Sequence, residues 1–463
     1  MDYSAANVDL WNSMIQVGII SVLVLFCNVV RLKVPFVKKS LMPTAVIAGF
    51  ILLGLKYIDA LHIDVMFLEK LTYHSLGIGF IALALRVDRA SSTSRSSFSL
   101  AVKSGATIVS TYVVQAIVGL LVTIALAFTL MPDIFKSAGL LLPMGYGQGP
   151  GQGNNIGTAY ENLGFKGGRS FGLAIAATGY LVACIVGVIY LNWGAKKGRF
   201  KKVGASEAEE KKSVTITDFL DEKELPVSHS IDRFTIQIAL IFVVYLLTYL
   251  FLWGITTLFK NYAPALDNLA SAMLWGFNFI FGTLFAHLVK FICRSAKKLN
   301  WMNHQYQNNY LLNRISGFAF DIMIICGIGT IFFEDLRGLY LPFTLMAVIG
   351  GVVTFFHLKI LCNRIYPGYE EEGFLSMFGM LTGTISSGIL LVREIDPKFE
   401  TPAANNLVSG SSTAVIFGVP VVLLVGMSPK SDLMTYIVLG ICLVYYAFLM
   451  FVALFKRKKK VAD

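Results

Sequence analysis

The sequence predicts an all-α polytopic membrane protein with about 11 transmembrane helices, and three observations support this fold class. Of the 463 residues, 56% are apolar and only 14% are charged, whereas a soluble domain carries about 25% charged residues. The apolar residues are collected into runs of about 20, the length that an α-helix needs to cross a bilayer. Lysine and arginine lie in short clusters between these runs, as in the loops of membrane proteins.

The apolar runs lie on both sides of one long polar stretch, five before it and six after it. No basic residue precedes the first run, so we expect a retained span there rather than a cleaved signal peptide. The predicted spans are residues 11–30, 41–57, 71–85, 105–130, 171–193, 234–258, 269–293, 310–333, 339–362, 403–426 and 433–455.

The basic residues predict the orientation of the chain. With the N-terminus outside, most of the 39 Lys and Arg residues lie on the cytoplasmic side, which is the asymmetry that inserted proteins show. We therefore expect a multi-pass protein of a bacterial inner membrane with its C-terminus and central linker in the cytoplasm. The net charge of +11 does not indicate nucleic-acid binding, because no soluble basic domain is available to contact phosphates.

We expect four regions along the chain. Residues 1–194 form a first membrane repeat, 195–232 a cytoplasmic linker, 233–428 a second repeat, and 429–463 an additional span with a basic cytoplasmic tail. The linker is rich in Lys and Glu, which is typical of a flexible tether; a regulatory segment is the alternative. Because the first repeat has an odd number of spans, the second starts from the opposite side, as an inverted-topology repeat requires.

Each half contains one apolar stretch that cannot form a simple span. The first, near 138–160, has five glycines and a proline between Gly145 and Gly153, and helix there would cost about 1 kcal/mol per Gly and about 3 per Pro. The second, near 373–395, is interrupted by Gly379, Gly383 and Gly388. We expect two re-entrant loops, the first entering from outside and the second from inside.

Helices broken at membrane depth expose N–H groups that favour anions and carbonyl oxygens that can hold Na⁺. Paired interruptions in two halves therefore indicate the central site of a transporter, although small residues also serve close helix packing. We predict a Na⁺ site near Gly149 and Thr384. The predicted substrate-binding residues on the two loops are Gln148, Gly149, Gly151, Gly153, Asn154, Asn155, Gly383, Thr384, Ser386 and Ser387.

Other polar residues in or beside apolar runs are further candidates. Arg393 could hold a substrate carboxylate through its guanidinium group, or pair with a neighbouring acid. Asp321 could bind Na⁺ or carry a proton, or form an interhelical pair. Thr382 is a candidate for ion coupling, and Asn405 and Asn406 are candidates for ion coupling or for helix capping.

Three basic side chains near the predicted inner ends of spans are expected to extend to the interface. They are His287, His357 and Lys359.

The two interrupted stretches carry a resemblance to a known family. The segments Gly145–Asn155, Leu163-Gly-Phe165, Ala174–Tyr180 and Phe378–Ser387 resemble those of the bacterial sodium/glutamate symporters and, more distantly, of the 2-hydroxycarboxylate transporters. The resemblance implies a 5+5 inverted repeat with one re-entrant loop per half, a homodimer, and an elevator-like movement with substrate at the loop tips. The last span has no counterpart in that pattern.

Two departures from the family pattern concern the loops themselves. The amides of Gln148, Gln152, Asn154 and Asn155 are absent from the family loop, and Ile385 stands where the family has proline. Either change could alter the substrate while leaving the scaffold and the coupling ion as they are.

Together these observations predict a secondary active transporter for Na⁺-coupled symport of glutamate or a related small anionic solute. Coupling to H⁺, or transport of another carboxylate or amino acid, is the alternative. A channel and a membrane-embedded enzyme are less favoured. The tripeptide Gly145-Tyr-Gly147, which resembles part of a potassium filter, occurs only once, and the chain has no catalytic constellation with usable spacing. We expect no enzyme activity and no cofactor, and we expect Na⁺, membrane lipid and a second copy of the chain as partners.

Overall fold

Helices are the only regular secondary structure in the residues that the computed structural model describes. These are residues 3–4, 7–35, 37, 42–59, 61–87, 95–200, 230–262, 274–276, 278–299, 306–396 and 401–455. Most of the predicted linker and of the basic tail therefore lies outside the described residues.

The α-helices lie on the apolar runs, and each predicted span overlaps one of them; part of the predicted span 269–293 lies outside the described residues. In chain order they are α1 (Val8–Lys33), α2 (Thr44–Tyr57), α3 (Val65–Leu85), α4 (Arg95–Phe128), α5 (Pro150–Asn162), α6 (Gly168–Lys196), α7 (Ser230–Tyr262), α8 (Asn278–Lys298), α9 (Asn309–Gly329), α10 (Tyr340–Ile365), α11 (Glu370–Thr382), α12 (Ile385–Arg393), α13 (Ala403–Met427) and α14 (Asp432–Leu454).

Nine of the helices in the described ranges contain stretches long and apolar enough to cross a membrane. Helix α3 has 21 residues but carries Glu69 and Lys70 in its first half, and α2 has only 14 residues. Large apolar side chains remain exposed along the long helices, such as Phe251 and Phe448, and a lipid environment accepts such a surface where water would not. The prediction of an all-α, multi-pass membrane protein is confirmed.

The chain folds into two compact units, each drawing segments from both halves of the sequence. The first unit comprises Met1–Leu25, Ala48–Ser91 and Lys212–Thr330. Helices α3, α7, α8 and α9 pack there around a core that contains Ile81, Ile241 and Ala286. The buried amide of Gln237 on α7 donates to the carbonyl of Arg233 on the same helix and to the carbonyl of Tyr306. The second hydrogen bond links α7 to the segment before α9.

The second unit comprises Phe26–Ile47, Ser92–Lys211 and Ile331–Asp463. Helix α4 lies at its centre, packed against α10, α13 and α14. Glycines allow the closest approaches: a Cβ on Gly119 of α4 would clash with the carbonyl group of Gly139. Along the chain, residues 136–162 lie between α4 and α6, and residues 370–393 lie between α10 and α13.

Candidate functional site

The first interrupted stretch is a helical hairpin. Its first arm consists of a 3-10 turn, Lys136–Leu140, and a π-helical turn, Pro143–Gly147, and its second arm is α5. The ring centroids of Phe135 and Tyr160 lie 5.4 Å apart, so the two ends of the hairpin are next to each other. Apart from the base, the hairpin carries no charge, because residues 137–160 contain no Asp, Glu, Lys or Arg.

The tip of this hairpin depends on Gly149. Its φ of +88° and ψ of −173° fall in a region that is essentially open to glycine alone. Pro150 follows at the first position of α5, where the missing N–H costs nothing because the first turn has no intrahelical acceptor for it. The Gly-Pro pair therefore both breaks the first arm and starts the second.

The second interrupted stretch is also a hairpin, formed by α11 and α12. A Cβ on Gly379 would lie 2.7 Å from Cα of Gly388, so the two arms touch backbone to backbone. Between them Gly383 and Thr384 form the tip, and α12 starts with the N–H of Gly388 donating to the carbonyl of Thr384 at 3.1 Å. Residues 373–392 contain no charged side chain.

The two tips meet inside the second unit. A Cβ on Gly149 would lie 3.8 Å from the carbonyl oxygen of Gly383 and 4.0 Å from Cγ2 of Thr384. Helix α6 passes both tips, since the hydroxyl oxygen of Tyr180 lies 3.7 Å from that same Cβ position and its ring lies against Gly383. Two stretches more than 200 residues apart in sequence therefore share one location.

Buried polar atoms without hydrogen-bond partners collect on the hairpins and beside them. Gln152 is fully buried, and neither its amide oxygen nor its amide nitrogen has a partner among the described residues. The same holds within the described part of the chain for Oδ1 of Asn154 and the hydroxyls of Thr384 and Ser387. Because native proteins leave few such atoms unsatisfied, this concentration indicates groups arranged for a ligand.

The hairpin geometry adds main-chain donors to these side chains. The second arm of each hairpin begins at its tip, so the first N–H groups of α5 and α12 lack intrahelical acceptors there. Helix N-termini favour anions, and hydroxyl, amide and carbonyl oxygens are suitable ligands for a hard cation. The arrangement can therefore hold a carboxylate and a cation without any charged side chain.

The structure brings most of the predicted site residues together. Gln148 and Gly149 form the first tip, and Gly151, Gly153, Asn154 and Asn155 lie in the first turns of α5, all four buried. The amide nitrogen of Asn154 donates to Oδ1 of Asn155 at 3.4 Å. Thr382 ends α11, where its hydroxyl donates to the carbonyl of Phe378 at 2.7 Å.

Two other candidates, Arg393 and Asn406, lie at the base of the second hairpin rather than at its tip. Arg393 ends α12, about 12 Å along that helix from Ile385, at the base of the hairpin. Asn406 is buried in α13 and donates to the hydroxyl of Tyr369 at 3.0 Å. Asp321 lies on α9 in the first unit with an exposed side chain, and its role in ion coupling stays a prediction. The side chains of Ser386 and Asn405 lie outside the described residues.

Gln115 of α4 is a polar neighbour of the tips that the sequence analysis missed. Its amide nitrogen donates to the carbonyl of Leu381 and to the hydroxyl of Thr354, both at 3.0 Å. Its amide oxygen has no partner among the described residues and lies 3.0 Å from the position of a Cβ on Gly147. The available signal was a single glutamine in the otherwise apolar run Val113–Leu121.

The expectation that His357 extends to the interface is wrong, and that for Lys359 stays a prediction. His357 is only 8% exposed, because α4 and α14 cover it. The ammonium of Lys359 is held 2.8 Å from both carboxylate oxygens of Glu371, at the base of the second hairpin. Tyr190 of α6 donates to the same carboxylate at 2.6 Å, so partners in the fold replace the water that a free side chain would seek.

The acidic base of the second hairpin should give a measurable pH dependence. Burial, and then the charges of Asp396, Glu371 and Glu370, raise the pKa of Glu372 above its usual 4.5. The stabilising effect of a raised carboxyl pKa is present at low pH and is lost as the pH rises through that pKa. We expect Glu372→Gln to increase thermal stability at neutral pH and to leave it unchanged at about pH 4.

Glu370→Gln is the matched control, and its effect on thermal stability at neutral pH should be opposite, a decrease. The N–H of Gly368 donates to Glu370 at 2.9 Å, and this hydrogen bond lowers the pKa of Glu370. Its charged form stabilises the fold above the usual pKa, and this effect is lost as the pH falls. Unfolding temperatures of both variants at neutral and acidic pH test the pair; a decrease for Glu372→Gln at neutral pH would contradict the assignment.

The comparisons with known proteins identify no relative. The chain matches no family model, no curated protein and no solved structure. The resemblance to the sodium/glutamate symporters therefore stays a prediction that rests on the motifs of the two hairpins and on the order of the spans.

Proposed function

We propose that this protein is a secondary active transporter that couples uptake of a small anionic solute, with glutamate as the first candidate, to Na⁺. The observation that carries the proposal is the meeting of two glycine tips beside buried polar groups that have no partner among the described residues. A structural role would favour satisfied or apolar side chains at such positions, because each unsatisfied polar group costs about 1–3 kcal/mol.

The substrate carboxylate would meet the N–H groups at the start of α5 and α12, together with the amides of Gln152 and Asn154. Na⁺ would take oxygen ligands from Thr384, Ser387 and the carbonyls of the tips. Coupling follows if the two ligands together complete the contact between the hairpins, so that neither alone holds them in place.

An elevator-like movement fits the division of the chain. Both hairpins, α4 and α6 belong to one compact unit, and a unit that moves must carry its complete binding site. The proposed homodimer rests on the resemblance alone.

Reconstitution of the purified protein into proteoliposomes tests the function. We expect radiolabelled glutamate to accumulate above the external concentration when an inward Na⁺ gradient is imposed, and not when K⁺ replaces Na⁺. Competition by unlabelled dicarboxylates and amino acids then ranks substrates. Passive equilibration without accumulation would indicate a channel, and no flux of any tested anion would contradict the proposal.

Ser387 offers a specific test of the cation ligands. Ser387→Ala should raise the Na⁺ concentration for half-maximal uptake by about tenfold, since one polar contact to a charged ligand contributes about 1.5 kcal/mol. Ser376, on the same hairpin, is equally buried but already donates to the carbonyl of Gly373 at 2.8 Å. Ser376→Ala should leave the Na⁺ dependence as it is; equal effects in both variants would remove Ser387 from the site.

A further inference from the structure

The membrane-embedded segments of the second unit consist of uncharged residues. By sequence, Asp, Glu, Lys and Arg do not occur in residues 104–128, 137–160, 170–195, 340–358, 373–392, 402–429 and 433–455, which include both hairpin tips. His357 in this region is buried, and its ring nitrogens lie 3.3 Å from the hydroxyl of Ser110 and 3.2 Å from that of Tyr446. These partners suit the neutral ring. The first unit differs, because its membrane helices contain Lys290 and Asp321.

The backbone at the hairpin tips does not add a net charge. At Gly149, and again at Gly383 and Thr384, one helical arm ends and the next begins. Carbonyl groups without an intrahelical donor therefore lie beside N–H groups without an intrahelical acceptor. The partial charges at the two helix ends, about −0.5 for the carbonyl end and about +0.5 for the N–H end, offset each other. The tips can turn dipoles toward a cation and toward an anion, but they cannot neutralise either one.

The charged side chains of the hairpins lie at the bases. Glu161 follows Pro150 by eleven residues on α5, about 16 Å of helix rise, and Arg393 follows Ile385 by eight residues on α12, about 12 Å. Exposed charges are screened by salt over about 8–10 Å, so those at the bases have little effect at the tips. A charged ligand at the tips therefore needs a partner of opposite charge beside it.

A single ion is unfavourable at such a site, whereas a balanced pair of ions is not. Transfer of one charge from water into a medium of low dielectric carries a large desolvation cost. A cation and a carboxylate in contact attract each other most strongly in that same medium, so each offsets much of the cost of the other. Uncharged groups with unpartnered atoms among the described residues, such as Gln152 and Ser387, can then supply the remaining ligands.

We propose that the site accepts a set of ligands without net charge, so that the number of Na⁺ ions bound equals the net negative charge of the solute. This inference rests on the proposed function and gives its coupling a physical cause, since each ion lacks a counter-charge until the other arrives. Glutamate, with one net negative charge at neutral pH, would travel with one Na⁺. Neither the loaded nor the empty unit would then move charge across the membrane, and the membrane potential would not drive uptake.

Uptake into proteoliposomes at two membrane potentials tests the charge balance of the full-length protein. Radiolabelled glutamate is followed under one inward Na⁺ gradient, with K⁺ and valinomycin setting the potential to zero or to about −100 mV inside. The steady accumulation ratio should be the same at both potentials, and ²²Na⁺ and glutamate should enter one to one. One net charge per cycle would change the ratio about fiftyfold, because an elementary charge crossing 100 mV corresponds to about 2.3 kcal/mol.

The outcomes separate this inference from the proposed function. A ratio that changes with potential, or two or more Na⁺ per glutamate, overturns the charge balance while Na⁺-driven transport stands. No Na⁺-driven accumulation at either potential would contradict the proposed function and the charge balance together.

Binding in lipid nanodiscs tests the missing counter-charge directly. In the wild type, glutamate and ²²Na⁺ should each tighten the binding of the other by the same factor, about a hundredfold. Gln152→Glu places a fixed carboxylate three residues after Gly149 and should bind ²²Na⁺ alone about tenfold more tightly than the wild type. Thr129→Glu adds the same charge at the exposed end of α4 and should leave ²²Na⁺ binding unchanged.

Independent binding of the two ligands to the wild type overturns the inference. So does a Na⁺ affinity of Gln152→Glu that is no higher than that of Thr129→Glu. The wild-type measurements decide the question by themselves if Gln152→Glu does not fold.

Discussion

Gly149→Ala should reduce uptake by about ten- to hundredfold while the protein still inserts and folds. Nothing lies closer than 3.7 Å to the added Cβ, so the space for it exists. The cost comes from the backbone, because alanine at a φ of +88° is strained by about 1–3 kcal/mol. The tip would relax to another conformation and move relative to Gly383 and Thr384, which lie beside it. Gly149→Leu should abolish uptake.

Gly164→Ala is the control for backbone strain. Gly164 has a φ of +102° and no atom within 4 Å of its Cβ position, but it lies in the turn after α5, away from the tip. Gly164→Ala should lower the stability of the protein about as much as Gly149→Ala does, and it should leave most of the uptake. Normal uptake in Gly149→Ala, measured at matched reconstitution density, would mean that the tip conformation is unimportant for transport.

Gln152→Leu should make the protein more stable and inactive. The side chains have similar volumes, and leucine removes two buried polar atoms that have no partner among the described residues. Removing such a penalty gains about 1–3 kcal/mol, equivalent to about 2 °C or more in unfolding temperature. A group that destabilises the fold is retained when function needs it, so uptake should be lost together with the amide.

Gln237→Leu provides the contrast in the first unit. Gln237 is just as buried, but its amide donates to two carbonyls and accepts from the N–H of Asn308 at 3.1 Å. Leucine would remove the partner of the Tyr306 carbonyl and of the Asn308 N–H and should lower the unfolding temperature. If Gln152→Leu is also destabilised, Gln152 supports the fold; if it is more stable but still transports, its amide is not a ligand.

The two hairpins illustrate how far local sequence patterns reach. Glycine and proline act on the backbone of their own segment, so the run from Gly145 to Gly153 predicts a break wherever the segment lies. Hydropathy is likewise local, and each of the 11 predicted spans overlaps a described helix. The sequence therefore determined the helices, the membrane environment and the positions of both interruptions.

The contacts across the second unit required the tertiary structure. Three neighbourhoods depend on how distant helices pack: Gly149 lies beside Thr384, Gln115 reaches the second hairpin, and His357 lies between Ser110 and Tyr446. No local pattern encodes such packing, since a polar residue in an apolar run looks the same whether it faces a neighbour, a ligand or the interface. Composition and the pattern of apolar runs determined the helices and their membrane environment. The packing of those helices decided which polar groups lie next to one another.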